Sequence, residues 1–333
     1  MQGINLELKR FPDSSPALEP IKDDIAFDPA IHLALEQPQQ IFTLSDLNYG
    51  DEISGTTPTD VAATSCFRLL SDAGVEAMYH VCKQLEAFTT SNPRISRNTR
   101  GGVYRSQFLR DFSLSVDVAE HLSQIMKTPL LPHAMGHQLS HLNYQPLTVG
   151  ESVDKWHYDT LQVDYVMFVT DPNKVDGGEF QYFAGTRDEM AALHKAGQPI
   201  PVDRVISPAM PGPGYAVLMQ GNYVVHQAKG IRSEGERITL VNGYNYADLS
   251  IPDYSAIDQL VYADPESYVT AEYARQMALR CGQHLQSISN QTDFNASRTQ
   301  QIERLQNARK VLDEAIALLG DDTHQEMKHF GES

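Results

Sequence analysis

Residues 155–169 read KWHYDTLQVDYVMFV, and within them His157 and Asp159 stand two apart at the mouth of an apolar, β-branched run. On a strand, positions i and i+2 point the same way, so this imidazole and this carboxylate can reach one point in space. A second histidine, His226, lies in another strand-like run, GNYVVHQAKG. Two histidines and a carboxylate cover one face of an octahedron and leave three positions open, which is the donor set of non-haem iron(II) sites. Arg237 follows in ERITLVNGY. The flanking apolar residues read as buried strand, and a buried guanidinium needs an anion. It offers a carboxylate two parallel hydrogen bonds, and Thr239, two residues on, adds a hydroxyl on the same face.

Other histidines and arginines compete for attention. HAMGHQLSH places His133, His137 and His141 four apart, the spacing of a zinc site on a helix. It lacks the Glu of HExxH, Gly136 weakens a helix, and LSHLNY alternates like a strand. Residues 139–145 therefore read as a strand entering the core, with Asn143 or Tyr144 lining the cavity. Residues 91–112 form a polar loop with Arg94, Arg97, Arg100, Arg105 and Arg110, the one basic cluster of an acidic chain. Solvated surface is its plain reading. Its functional reading is that Arg105, after the hinge-like Gly101-Gly102, binds an anionic substrate group. Trp156, the sole tryptophan, reads as wall rather than platform.

The elements around these residues fall into four stretches. Residues 1–57 are rich in Pro, Asp and Gly and read as an irregular lead-in with one or two short strands. Residues 58–135 read as helical support plus the arginine loop. Thr57 and Pro58 start a helix over 58–90, and Leu114, Val118, Leu122, Ile125 and Met126 share the face of another. Residues 136–250 carry short β-rich runs between Gly, Pro and Asp turns, the pattern of an antiparallel sandwich or barrel, interrupted by an insertion at 187–213. Residues 251–333 read as a C-terminal helical hairpin. In its second helix Ile302, Leu305, Leu312, Ile316 and Leu319 form an apolar stripe. The stripe reads first as packing on the body of the same chain, with a homodimer through the C-terminal helices as the alternative.

Bulk properties narrow the partners. The 333 residues are 41% hydrophobic and 21% charged, ordinary for a globular protein, with a formal net charge of −17. Nucleic acid and anionic membrane call for a basic surface and are not expected. No signal-peptide core and no run of about 18 apolar residues occurs. Cys66, Cys82 and Cys281 lie far apart without a CxxC, which suits a reducing cytoplasm and gives no thiolate metal site.

In order and spacing, His157-Tyr158-Asp159, Gly177-Gly178-Glu179-Phe180, His226 and Arg237-Ile238-Thr239 resemble the iron(II)/2-oxoglutarate-dependent dioxygenase superfamily. HLNYQPLTVGESVDKWHYD and CFRLLSDAGVEAMYHVCKQLEAF are similar to stretches of its prolyl-hydroxylase-like and phytanoyl-CoA-dioxygenase-like branches. The resemblance spans roughly residues 65–247 and leaves 1–57 and the C-terminal hairpin without counterpart. It implies an α+β protein, mainly β: a double-stranded β-helix, or jelly roll, of cupin-like form, with N-terminal helices and the hairpin appended. It implies Fe(II) held by His157, Asp159 and His226. It further implies 2-oxoglutarate as co-substrate on Arg237, Thr239 and Tyr144, with O2 as oxidant. The implied reaction is hydroxylation of a C–H bond in a small anionic or zwitterionic metabolite, giving succinate and CO2. Desaturation, epoxidation or cyclisation would use the same site. The presence of Asp159 argues against halogenation, where that carboxylate is absent. A peptide hydroxylase and a cupin-like metal protein without 2-oxoglutarate are the rivals.

Overall fold

A computed structural model describes residues 11–12, 14–22, 25–248, 251–321, 325 and 327–331. The first ten residues of the expected lead-in thus lie outside the described residues. The chain opens with α1 (Pro29–His32), β1 (Ile41–Thr43), α2 (Asp51–Ser54), β2 (Val61–Thr64), β3 (Phe67–Arg68) and α3 (Asp72–Leu85). Next come β4 (Asn98–Thr99), α4 (Gln107–Ser113), α5 (Val116–Ile125), β5 (Leu130–Pro132) and β6 (His141–Tyr144). The core continues with β7 (Asp154–His157), β8 (Val163–Phe168), β9 (Phe180–Phe183), α6 (Arg187–Lys195), β10 (Val205–Ile206), β11 (Tyr215–Met219), β12 (His226–Ala228) and β13 (Ile238–Tyr246). Three helices end it: α7 (Ile257–Ala263), α8 (Glu266–Asn290) and α9 (Arg298–Leu319).

The strands make two antiparallel sheets. The larger runs β1-β2-β11-β8-β13-β6-β4, with β3 also on β11 and β5 on β13; the smaller runs β10-β9-β12-β7. This is the expected jelly roll. Strand alternation feeds two cores. Tyr165, Met167, Leu218, Ile238 and Leu240 face outward, where Met78, Val81, Cys82 and Leu85 of α3 and Val118 and Leu122 of α5 pack on them. Val166, Phe168, Val217, Met219 and Val241 face inward, against Phe180 and Tyr182 of the small sheet. A period of two thus puts a helix-covered layer on one side of β13 and a lined interior on the other.

Two expectations change. The helix read over 58–90 begins only at Asp72, capped by the Ser71 hydroxyl accepting from Gly74 N at 3.0 Å. Val61 and Phe67 are strand residues: Val61–Thr64 is buried throughout and pairs with β1 and β11, and Phe67 pairs with Ala216 of β11. The insertion at 187–213 supplies more than a helix: its β10 is the edge strand beside β9.

The C-terminal helices form the expected hairpin and dock on the turn before β6. His137 donates from Nδ1 to Glu272 Oε1 at 2.8 Å and from its backbone N to Oε2 at 3.1 Å, and the Tyr104 hydroxyl donates to the same carboxylate. Arg100 joins by an ion pair to Asp264 at 2.8 Å. The α9 stripe does not pack on the body. Ala308 and Ala315 are buried instead, small enough to let α9 lie close to α8, and the large side chains point away. Ile302, Leu305, Leu312, Ile316 and Leu319 are 37–67% exposed. Among the described residues no helix is long and apolar enough to cross a membrane.

Candidate active site

β7 and β12 bring the two histidines together. His157 and His226 are direct partners across the ladder, their ring centroids 4.2 Å apart. Asp159 lies just past β7, its backbone N donating to Gly221 O at 2.8 Å. One carboxylate oxygen is 3.4 Å from His157 Nε2 and the other 3.4 Å from His226 Nε2. Ligand atoms of all three lie within 4.8 Å of one another, and among the described residues this is the one group of three that could hold a metal.

Hydrogen bonding fixes which ring atoms face inward. His157 Nδ1 donates to Lys155 O at 2.6 Å, and His226 Nδ1 donates to Val224 O at 2.9 Å. A carbonyl can only accept, so each Nδ1 carries its proton and each Nε2 presents a lone pair. Two lone pairs and a carboxylate repel unless positive charge lies among them. Burial lowers the pKa of His157, with nearby Arg94 adding to the effect, which opposes a second proton on that ring. The donors fit a divalent cation, bound on one face with the remaining positions open.

Arg237 suits a carboxylate ligand in the same way. It enters β13 almost fully buried, its Nε donating to Gly178 O at 2.8 Å and its Nη1 to Thr239 Oγ1 at 3.3 Å. Nη2 is buried and has no partner among the described residues. Burial pushes the guanidinium pKa down to about 10, with Asp154 and Glu179 opposing, so it remains charged at neutral pH. An unused buried donor on a cation invites an anion. Thr239 lines the metal cavity, and Asn143, its partner across β13 and β6, adds a carbonyl oxygen that is also unpaired. Facial triad, buried arginine and hydroxyl together form a donor set that fits iron(II) and 2-oxoglutarate.

The other expected site residues lie elsewhere. Tyr144 points out of the barrel: its hydroxyl donates to Cys82 O at 2.7 Å under α3. Alternation decides this, since His141 and Asn143 take the inner face of β6 and leave the outer face to Leu142 and Tyr144. Arg105 stacks on Phe88, 3.8 Å from its ring centre, and donates to Glu19 O at 2.7 Å. It anchors the N-terminal segment and does not line the cavity. The arginine that does is Arg94. His133 and His137 are taken by Ser255 and Glu272, which separates them from His141.

Two features had no legible signal. Between His226↔His157 and Ala228↔Asp154, β12 advances two residues and β7 three. This bulge turns Asp154 toward the cavity beside His157. There it meets Arg94, with Nε 3.0 Å from Asp154 Oδ1. The second feature is the C-terminal tail. Phe330 N donates to Trp156 O at 2.6 Å and Trp156 N to Gly331 O at 3.1 Å, so the tail covers the free edge of β7 next to His157.

No family model matches the sequence, and no curated protein is similar to it at a meaningful level. Solved structures do show likeness. The non-haem α-ketoglutarate-dependent carbocyclase SnoK from nogalamycin biosynthesis is 16% identical, over 63% of this chain and 88% of that one, with a TM-score of 0.43. EctD from S. alaskensis with bound Fe is 14% identical over 68% and 83%, with a TM-score of 0.42. HygX from Streptomyces hygroscopicus with nickel and 2-oxoglutarate bound is 15% identical over 60% and 87%, with a TM-score of 0.38. These are likenesses in the course of the chain; the reading of the site rests on its own side chains.

Proposed function

We propose that this protein is an iron(II)- and 2-oxoglutarate-dependent oxygenase that oxidises a C–H bond of a small molecule. The observation that carries the reading is the pairing of the convergent triad with the unused Nη2 of Arg237, joined to the cavity through Thr239. His157, Asp159 and His226 would hold the iron, and Arg237 with Thr239 the distal carboxylate of 2-oxoglutarate. When bound, the metal and co-substrate supply the oxidising power, with release of succinate and CO2. The chain's own part is to fix the two Nε2 lone pairs through the Lys155 and Val224 carbonyls. It also neutralises the buried carboxylate and keeps bulk water out behind the Phe180, Val166 and Val241 wall.

Hydroxylation is the outcome we favour. Asp159 takes the place a halide would need, and desaturation, epoxidation or cyclisation would use the same site. A small anionic or zwitterionic substrate suits a cavity whose wall carries both Arg94 and Asp154. The test is succinate formation from 2-oxoglutarate by iron-loaded protein in air. Turnover above a metal-free control, abolished in His157→Ala and His226→Ala, supports the reading; equal turnover in both variants removes it.

We also propose that two copies pair through α9. The exposed residues 302, 305, 312, 316 and 319 follow three-four spacing, the seam of a helix pair. Two such helices laid antiparallel bring Ile302 to Leu319 and Leu305 to Ile316. In that register Arg309 falls opposite Leu312 of the other copy, its Nε already paired with Asp313 of its own helix at 3.0 Å, so the seam rests on its apolar residues.

A further inference from the structure

Among the described residues three charged groups line the cavity at the triad: Asp159, Asp154 and Arg94. Asp159 belongs to the triad. The other two form an ion pair beside the triad, Asp154 Oδ1 lying 3.4 Å from His157 Nδ1, and neither is one of the three convergent ligands. Both are buried, at 7% exposure of each side chain. Arg94 is placed by its own loop, the Asn92 side chain accepting from the backbone N of Arg94 at 3.0 Å. Lys155 holds the loop to β7 by donating from Nζ to Pro93 O at 3.0 Å. Arg94 Nη1 stands 3.9 Å from the triad carboxylate, and among the described residues neither Arg94 Nε nor Asp154 Oδ1 makes a hydrogen bond. The lining leaves about 20 Å³ free, room for one water, so a ligand enters only as wall residues give way, this pair among them.

Charge decides what can part it. Iron(II) with Asp159, and 2-oxoglutarate with Arg237, together sum to no net charge. The Arg94–Asp154 pair is neutral too. A substrate with net negative charge would leave Asp154 buried and unpaired as it took Arg94, and a cation would strand Arg94. A buried charge without a partner is strongly disfavoured. A zwitterion strands neither. Its carboxylate accepts from Arg94, its ammonium donates to Asp154, and one buried ion pair becomes two.

Resting on the iron and 2-oxoglutarate reading, we infer that the Arg94–Asp154 pair is the substrate's head-group receptor, specific for a zwitterion of the α-amino acid type. Placed there, the head group lies beside Asp159, so the carbons next to it face the metal. Arg94 and Asp154 are specificity residues and take no part in ligating the metal.

The test uses full-length protein loaded anaerobically with Fe(II) and 2-oxoglutarate, whose visible charge-transfer absorption responds to a neighbouring ligand. The probes are the free protein amino acids, their N-acetyl derivatives (anions) and their amides (cations). At least one free amino acid is expected to shift the band, with its N-acetyl and amide forms at least roughly tenfold weaker. Asp154→Asn should narrow the gap for the N-acetyl form, and Arg94→Gln the gap for the amide. Thermal unfolding of both variants checks that they fold. The inference is overturned if N-acetyl forms bind as tightly as free amino acids, or if no free amino acid binds. It is also overturned if Arg94→Gln raises the 2-oxoglutarate requirement and leaves amino-acid binding unchanged. A band that forms without responding to any amino acid sinks this inference alone; a band that never forms sinks the iron reading first.

Discussion

Gly178 and Arg237 are fitted to each other. The Gly178 carbonyl accepts from Arg237 Nε at 2.8 Å, and a Cβ on Gly178 would lie 3.0 Å from Arg237 Cδ and 2.9 Å from Ile231 Cγ2. Its φ of +74° is a conformation that side chains resist. Gly178→Ala should therefore destabilise the fold by about 1–2 kcal/mol and displace the guanidinium. Denaturant unfolding reads the first effect, and a rise of roughly tenfold in the apparent KM for 2-oxoglutarate reads the second. An unchanged KM would separate this glycine from the co-substrate pocket.

Arg237 itself should be harder to replace. Arg237→Ala is expected to raise the 2-oxoglutarate requirement by roughly a hundredfold or more, since the buried carboxylate would lose its counter-charge. Arg237→Lys keeps the charge without the planar fork and should fall between. Steady-state kinetics across a 2-oxoglutarate series checks the order. Wild-type behaviour in the lysine variant would show that the fork does not matter.

The triad and Arg237 were legible in the sequence because strand alternation and a fixed order carry them. His157 and Asp159 share a strand face, and the runs around His226 and Arg237 announce buried strands. Tyr144 against Asn143 was a choice of parity, which a sequence leaves open until one residue of β6 is placed. Asp154 was hidden by the bulge in β7, because an extra residue reverses parity without changing composition. Arg94 and Arg105 sit in one polar loop with similar neighbours. Which of them turns inward depends on Asn92 and on the partner Asp154, a long-range contact. The helix read over 58–90 failed where Val61–Thr64 is buried on both faces, since such a run has no period of its own.

The docking of α8 should be acid-sensitive. Burial would raise the Glu272 carboxyl, but bonds from the His137 ring and backbone N–H and from the Tyr104 hydroxyl outweigh it and lower its pKa below 4.5. A carboxyl depressed on folding adds stability that is fully present above its unfolded pKa and is lost as pH falls through the folded one. Glu272→Gln should cost about 1.5–3 kcal/mol near neutral pH, and the difference should vanish in acid. Urea unfolding of both proteins across pH measures it; a gap that does not change with pH would contradict the assignment.

Self-association should depend on the α9 seam. Leu305→Glu or Ile316→Glu changes an exposed side chain, 56% and 67% respectively, and should leave the fold intact while shifting the protein to monomer. Sedimentation across concentration reads the mass. In a background free of Cys66, a Leu305→Cys chain mixed with an Ile316→Cys chain should cross-link, and Leu305→Cys alone should not. A monomeric wild type, or cross-linking of Leu305→Cys to itself, would overturn the antiparallel pairing.

The most direct measurement is an anaerobic titration of iron-loaded protein with 2-oxoglutarate, followed by visible absorption. Chelation of the co-substrate by a metal on the facial triad produces a charge-transfer band. The account predicts a band that saturates at one 2-oxoglutarate per iron in the wild type. It should need far more 2-oxoglutarate in Arg237→Ala and be absent in His226→Ala, with both variants folded. A wild type that binds no iron, or a band equally strong in all three proteins, would contradict it.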